Sequence, residues 1–202
     1  MERHIQITFV ILLALGIAAC APVTPATPTS DPRSTEGYYP LTILTGIAEI
    51  DSVLGAVASG DDRKLRSIIR FTDAKCTRAE GLGGPPKCRV GESEGMTVEV
   101  LPFLGSEGSF LHKEEIENWQ GIDVTGLYAI YEVSSDVLVE EYYPAGKYAI
   151  MFIGKEGQPP VVLRIGDGRI VRVDHLFDSS PDALQATLER EAARVILPPL
   201  SQ

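Results

Sequence analysis

The chain is poor in the residues that usually announce chemistry. Its three histidines, His4, His112 and His175, show no metal-ligand spacing, and pairs such as His112 with Glu115 or Asp174 with His175 offer too few donors for a site. It has no phosphate-binding loop and no dinucleotide fingerprint, and no cofactor is expected. Basic residues are outnumbered: 18 Lys and Arg against 28 Asp and Glu leave a net charge of -10. Such a surface is repelled by phosphate backbones and anionic headgroups, which sets nucleic acid aside as a partner. Long hydrophobic runs are missing too. The longest, Phe9 to Ala19, has eleven residues, where a membrane-crossing helix needs about 20.

What is present begins with that run. A short head carrying Arg3 and His4 followed by a brief apolar stretch reads as a secretory signal peptide. Its last four residues, Ile17-Ala18-Ala19-Cys20, resemble the lipobox of bacterial lipoprotein signal peptides. The resemblance implies that Cys20 receives a diacylglyceryl group and becomes the new N-terminus. The domain would then be extracytoplasmic, periplasmic or at the cell surface, and lipid-anchored to a membrane of a bacterial envelope. Two or more acyl chains hold a protein stably at a bilayer, where one holds it only marginally. A cleaved signal peptide without lipid, or a short anchor, is the alternative.

Cysteine arithmetic agrees with this reading. Three cysteines are an odd number for an exported protein. With Cys20 assigned to lipid, Cys76 and Cys88 are free to pair in an oxidising compartment. The loop they would close, CTRAEGLGGPPKC, has 13 residues, which the chain-entropy model values at about 3 kcal/mol. A metal pair or a redox couple would want a closer spacing and nearby ligands.

Residues 1–20 are thus read as signal peptide, and 21–40, with five prolines among threonines and serines, as a linker. Proline density favours extended polyproline geometry. Residues 41–202 are read as one domain. Ile47, Ile50, Val53, Leu54 and Val57 recur at helical spacing, with Thr45 as the expected cap and Gly60 as the stop. Asp61 or Asp62 caps a second short helix carrying Leu65, Ile68 and Ile69. Thr97–Phe103 reads as a strand, with Pro102 marking an edge or bulge, and His112–Trp119 as a short helix. Leu127–Val133, Lys147–Ile153, Val161–Ile165 and Arg169–Val173 are rich in β-branched and aromatic residues and read as strands, the last two joined by a tight turn at Gly166-Asp167-Gly168. Ser180-Pro181-Asp182 opens a final helix with Leu184, Leu188, Val195 and Ile196 on its buried stripe, ended by Pro198-Pro199.

This order predicts an α+β fold, helices packed on a curved, mostly antiparallel sheet with an extra C-terminal helix. Together with the Ser59-Gly60-Asp61 junction and the strand Asp167–Val173, it resembles the NTF2-like superfamily, whose helix pair and sheet enclose a conical pocket. The resemblance covers Gly46 to His175 and implies a ligand-binding cone. Some members are isomerases, dehydratases or hydrolases with an Asp or His and tyrosines inside it. The side chains available for such roles are Asp73, His112, Trp119, Asp123, Tyr128, Tyr131, Tyr148 and His175. Asp123, between Ile122 and Val124, is the weak candidate for a general base, and Trp119, Tyr128 and Tyr148 are candidate ligand contacts. None of these matches a catalytic motif. The expectation is a non-enzymatic binding domain for a small apolar ligand or an envelope protein. The alternatives are an acid/base enzyme, or a scaffold acting through a sheet-face homodimer.

Overall fold

The computed structural model describes residues 37–81, 83–105, 108–135, 137 and 142–201. Cys20, the lipobox and the linker up to residue 36 lie outside the described residues. The helix pair comes first, as the periodicity predicts: α1 is Ala48–Ala58 and α2 is Asp62–Ser67. Asp61 caps α2 by accepting the Arg63 N–H at 2.9 Å. The start of α1 differs from expectation. Its N-cap residue is Ile47, and the capping chemistry comes from Asp51 in the first turn. The Asp51 carboxylate accepts from the Thr45 N–H and hydroxyl, each at 2.7 Å, and from the Gly46 N–H at 3.0 Å. An acid in the first turn suits the helix dipole and ties down the segment ahead of the helix, so Thr45 is held by the helix rather than capping it.

Two short strands bracket the disulfide loop, β1 (Thr72–Lys75) and β2 (Thr97–Leu104), and β3 (Ser109–His112) turns back along β2. At Pro102 the register pairs β2 with Phe110 of β3. A 3-10 helix, Lys113–Asn118, leads into a four-strand meander: β4 (Val124–Val133), β5 (Tyr148–Gly154), β6 (Val161–Gly166) and β7 (Arg169–His175). Asp167 and Gly168 form the β6–β7 turn, both with positive φ (52° and 70°), which is the geometry a right-twisted two-residue hairpin requires. The helix α3 (Pro181–Glu191) follows, its Ser180 hydroxyl accepting the Ala183 N–H at 3.3 Å, and then β8 (Ala192–Leu197). The sheet order is β1-β2-β7-β6-β5-β4-β8 with β3 on β2, and every pairing except β2 with β7 is antiparallel. This is an α+β fold with an open, mostly antiparallel eight-stranded sheet.

One element is corrected. The last helix does not run on to Ile196; it stops at Glu191, and Ala192–Leu197 pairs with β4, Tyr131 opposite Val195. Val195 and Ile196 are β-branched, and the outer edge of β4 offers a ladder that a continued helix would leave unpaired. Leu184 and Leu188 are buried as expected, whereas Val195 is 42% exposed.

The disulfide is formed, Cys76 to Cys88 with an S–S distance of 2.03 Å. Inside its loop Thr77 donates to the Pro86 carbonyl and Cys88 to that of Thr77, so the Gly/Pro row is tied across its base. The sheet has two covered faces. Ile50, Val53 and Leu54 of α1 pack on Leu127, Ile130, Ile150, Phe152, Leu163 and Ile165. On the opposite face Leu184 and Leu188 of α3 pack on Tyr128, Ala129, Tyr131, Ala149, Met151 and Val162. A register shift between Leu127 and Ala129 lets the neighbours Tyr128 and Ala129 both face α3. Among the described residues no helix is long and apolar enough to cross a membrane.

Candidate functional site

The sequence of β6, V-V-L-R-I-G, is buried throughout, and Arg164 is its one charge, 2% exposed. A buried guanidinium must be paired. The hairpin register sets Arg164 opposite Arg172 of β7, and Asp174, two residues further on, shares their face. Asp174 accepts from Arg164 Nε at 2.7 Å and from Arg172 Nε and Nη2 at 2.7 and 2.9 Å. Arg172 Nη1 donates to the Tyr143 carbonyl at 3.2 Å. The second carboxylate comes from Glu191, the last residue of α3, which accepts from Arg164 Nη2 at 2.5 Å and from the Tyr131 hydroxyl at 2.7 Å. Arg190 adds a contact to Glu191 at 3.1 Å. Arg164 and Arg172 are thus balanced by Asp174 and Glu191.

Electrostatics in the cluster follow from this pairing. Burial alone would raise the Glu191 carboxyl, but the charge of Arg164 and the bonds from Tyr131, Arg190 and Arg164 outweigh it, and its pKa is lowered. Burial pushes the Tyr131 phenol well up. Burial works against the charged form of Arg164, yet its anionic neighbours hold it firmly protonated.

Beside this cluster lies a cavity of about 310 Å³ between α3, the end of β2 and the segment after β7. Arg164, Asp174 and Glu191 form its polar side, Ala183 and Thr187 its α3 wall, and Leu104 and Phe177 its apolar rim. Phe177 is 74% exposed, unusual for so large an apolar side chain. Arg164 Nη1 is buried without a hydrogen-bond partner. The arrangement can hold a small molecule by its apolar body, with the charged cluster on the other side.

A second cavity, about 380 Å³, lies between the stapled loop and β3, with Gly83, Pro85 and Cys88 on one side and Phe110 and His112 on the other. His112 is 5% exposed and its Nδ1 has no partner. Arg89 at its margin is spent on Glu92 at 2.6 Å and Glu114 at 3.0 Å. The Glu92 carboxyl is lowered by the Arg89 backbone N–H and then its side chain.

The residues singled out from sequence do not converge. Asp123 directly precedes β4, its side chain 64% exposed and 3.4 Å from Lys155 Nζ, with its carbonyl accepting the Lys155 N–H. Trp119 packs edge-on to Phe103 on the α1 face, at 6.0 Å. Tyr148 is buried on that same face under the Lys147 ammonium, 4.6 Å from its ring, whereas Tyr128 is buried on the α3 face. Asp73 is exposed on β1. His175 stacks on Phe103 at 6.1 Å and borders the α3 cavity, and burial, partly opposed by Asp174, lowers its pKa. Among the described residues no three His, Cys, Asp or Glu side chains converge as a metal would require.

Sequence reasoning missed Arg164, Arg172 and Glu191. The signal was an arginine inside an otherwise apolar strand, with the turn at Gly166-Asp167-Gly168 fixing what lies across from it. The string Gly91-Glu92-Ser93-Glu94-Gly95 spells G-x-S-x-G. Here that string is a turn leading into β2, with the Met96 N–H donating to the Ser93 carbonyl at 3.0 Å. It is not the strand-to-helix elbow that activates a serine. No family model, curated protein or solved structure matches this chain.

Proposed function

We propose that this chain is an extracytoplasmic lipoprotein, anchored through Cys20, whose NTF2-like domain binds a small, largely apolar ligand in the cavity beneath α3. The observation that carries the binding reading is the cavity itself, with a charged cluster on one side and an exposed apolar rim on the other. The NTF2-like reading is supported by the helix pair on one face of a meander that returns to the first hairpin through β2 and β7. The anchor rests on the lipobox alone. On the α1 face Ile50, Val53, Leu127, Ile130, Ile150 and Phe152 are fully buried, so the ligand is assigned to the opposite face. The same α3 covers the sheet where a face-to-face homodimer would form, which favours a ligand over a second copy.

An acid/base enzyme is the second reading, and one observation favours it: burial holds His175 toward its neutral form at the cavity edge, where it could accept a proton. Native mass spectrometry of the full chain released from its own membranes tests the binding reading. A persistent extra mass, lost in an Ala183→Leu variant that narrows the cavity from α3, is the expected result. The bare mass in both proteins would remove the reading. Wash-resistant membrane attachment that survives Cys20→Ala would remove the anchor.

A further inference from the structure

We infer that the stapled loop is a redox-released cover: the Cys76–Cys88 bond holds it over His112, and reduction by a dithiol uncovers that imidazole while the sheet stays folded. The device is separate from the α3 cavity and stands whether or not that cavity binds a ligand. Within the loop the hydrogen bonds run from one part of it to another. Thr77 donates to the Pro86 carbonyl at 2.8 Å, Cys88 to that of Thr77 at 2.9 Å, and Lys87 Nζ to that of Ala79 at 3.0 Å. Its two ends are tied outward by Arg78, which donates to the Glu92 carbonyl and the Glu94 carboxylate, and by Arg89, which is paired with Glu114. Among the described residues from Arg78 to Lys87 only Pro86 is buried, so packing does little to seat the loop. The disulfide is the cross-link that does.

Two effects oppose the closed arrangement. Gly83 and Gly84 are fixed at φ 73° and 71°, and glycine loses more conformational freedom on ordering than any other residue. Across the cavity from the loop, His112 is 5% exposed and its Nδ1 is buried without a hydrogen-bond partner, a loss that contact with water would restore. A cross-link that removes loop-closure entropy from the open state offsets both. The Arg89–Glu114 pair is no substitute, because Glu114 is 62% exposed and pairs of that kind hold weakly.

The two cysteines differ in access: Cys76 is 2% exposed, whereas Cys88 is half-buried. A thiolate of the dithiol therefore attacks Cys88 Sγ. The bond to Cys76 breaks, and Cys76 leaves as a thiolate that takes a proton from water. The second thiol of the reductant then attacks the mixed disulfide and releases Cys88. Two electrons and two protons have passed to the protein, which holds two thiols, and the reductant ends as a cyclic disulfide.

Dithiothreitol added to the full chain in detergent tests this, with amide hydrogen exchange and carbethoxylation by diethyl pyrocarbonate both followed by peptide mass spectrometry. On reduction, exchange in the peptides containing Thr77 and Cys88 and labelling of His112 should each rise at least about tenfold, less than the full effect of the staple because Arg78 and Arg89 still hold the two ends. Exchange at Ile150 and Leu163 and labelling of His175 should not change, and reoxidation should restore the starting values. The double variant Cys76→Ser, Cys88→Ser should match the reduced protein without reductant. Unchanged exchange and labelling in that variant overturn the inference, since the loop would then be seated without its staple. Faster exchange in the loop with His112 still unlabelled overturns it as well, because the loop would not be what covers the imidazole. Loss of protection at Ile150 and Leu163 also overturns it, by making the disulfide a support of the whole fold.

Discussion

The two faces of the sheet are built from the same strands and are stabilised differently. Beneath α1 the side chains are apolar without exception at the centre: Ile50, Val53, Leu127, Ile130, Ile150, Phe152, Leu163 and Ile165 are all 0% exposed. Beneath α3 the apolar patch of Ala149, Met151 and Val162 gives way to Arg164, Arg172, Asp174, Glu191 and the Tyr131 phenol. Cohesion alone explains the first face. It does not explain the second, because apolar side chains of similar volume usually serve stability as well as a buried ion pair does, or better. A buried ionic cluster set beside a cavity is better understood as a positioning device. Glu191 shows how it works: as the last residue of α3 it joins the cluster, and the next residue begins β8. The cluster therefore fixes where the helix ends, and with it the wall of the cavity.

The comparison can be broken most sharply at Asp174. Its carboxylate serves two guanidinium groups, so Asp174→Ala leaves both short of a counter-charge and should cost about 3–5 kcal/mol in denaturant unfolding. Leu54→Ala, which opens a void under α1, should cost about 3 kcal/mol by comparison. A loss at Asp174 no greater than a surface substitution gives would mean that the cluster is neither tight nor dry. The next test separates stability from function. Replacing Arg164, Arg172, Asp174 and Glu191 together by Met, Met, Leu and Leu should leave stability within about 2 kcal/mol of the parent. Ligand binding should vanish all the same.

The smallest effect is the response to pH. His175 has a lowered pKa when folded, so the unfolded chain binds the proton more readily. Its contribution is complete above the unfolded value of about 6.5 and declines as pH falls below it. Glu191, also lowered, adds its part at lower pH: its contribution is complete above about 4.3 and is lost as pH falls through the folded value. Between pH 7.5 and 5.5 the melting temperature should drop by a few degrees, and by less in His175→Gln. An equal drop in both proteins would show that the imidazole is not held as burial implies.

Much of the architecture can be read from local pattern, because burial on one face leaves period-two and helical traces in the sequence. The strands around Leu127, Ile150, Leu163 and Val173, the cap at Asp61 and the helix start at Ser180 lie where those traces place them. What fails is whatever depends on a distant partner. Ala192–Leu197 becomes a strand because β4 has an unoccupied edge; the β-branched Val195 and Ile196 suit it but do not announce it. The strand β1 is four residues long and owes its pairing to β2 across the disulfide loop. The candidate site is less legible still. Asp123 drew attention because apolar residues flank it in sequence, yet it ion-pairs with Lys155 on the surface. Arg164 resembles a solvated strand residue until the register sets Arg172 across from it and α3 brings Glu191 above it.

The two longest-range ladders of the sheet are both completed from the C-terminal end. Phe103 must wait for Val173, and Tyr131 for Val195. Closing such long loops is entropically unfavourable before the contacts they bring are made, which slows the assembly of sheets of this kind. The first hairpin has no neighbour on its β7 side, and β4 none on its outer side, until nearly all of the chain has been synthesised. The sheet is thus completed at both places by segments that come late in the sequence.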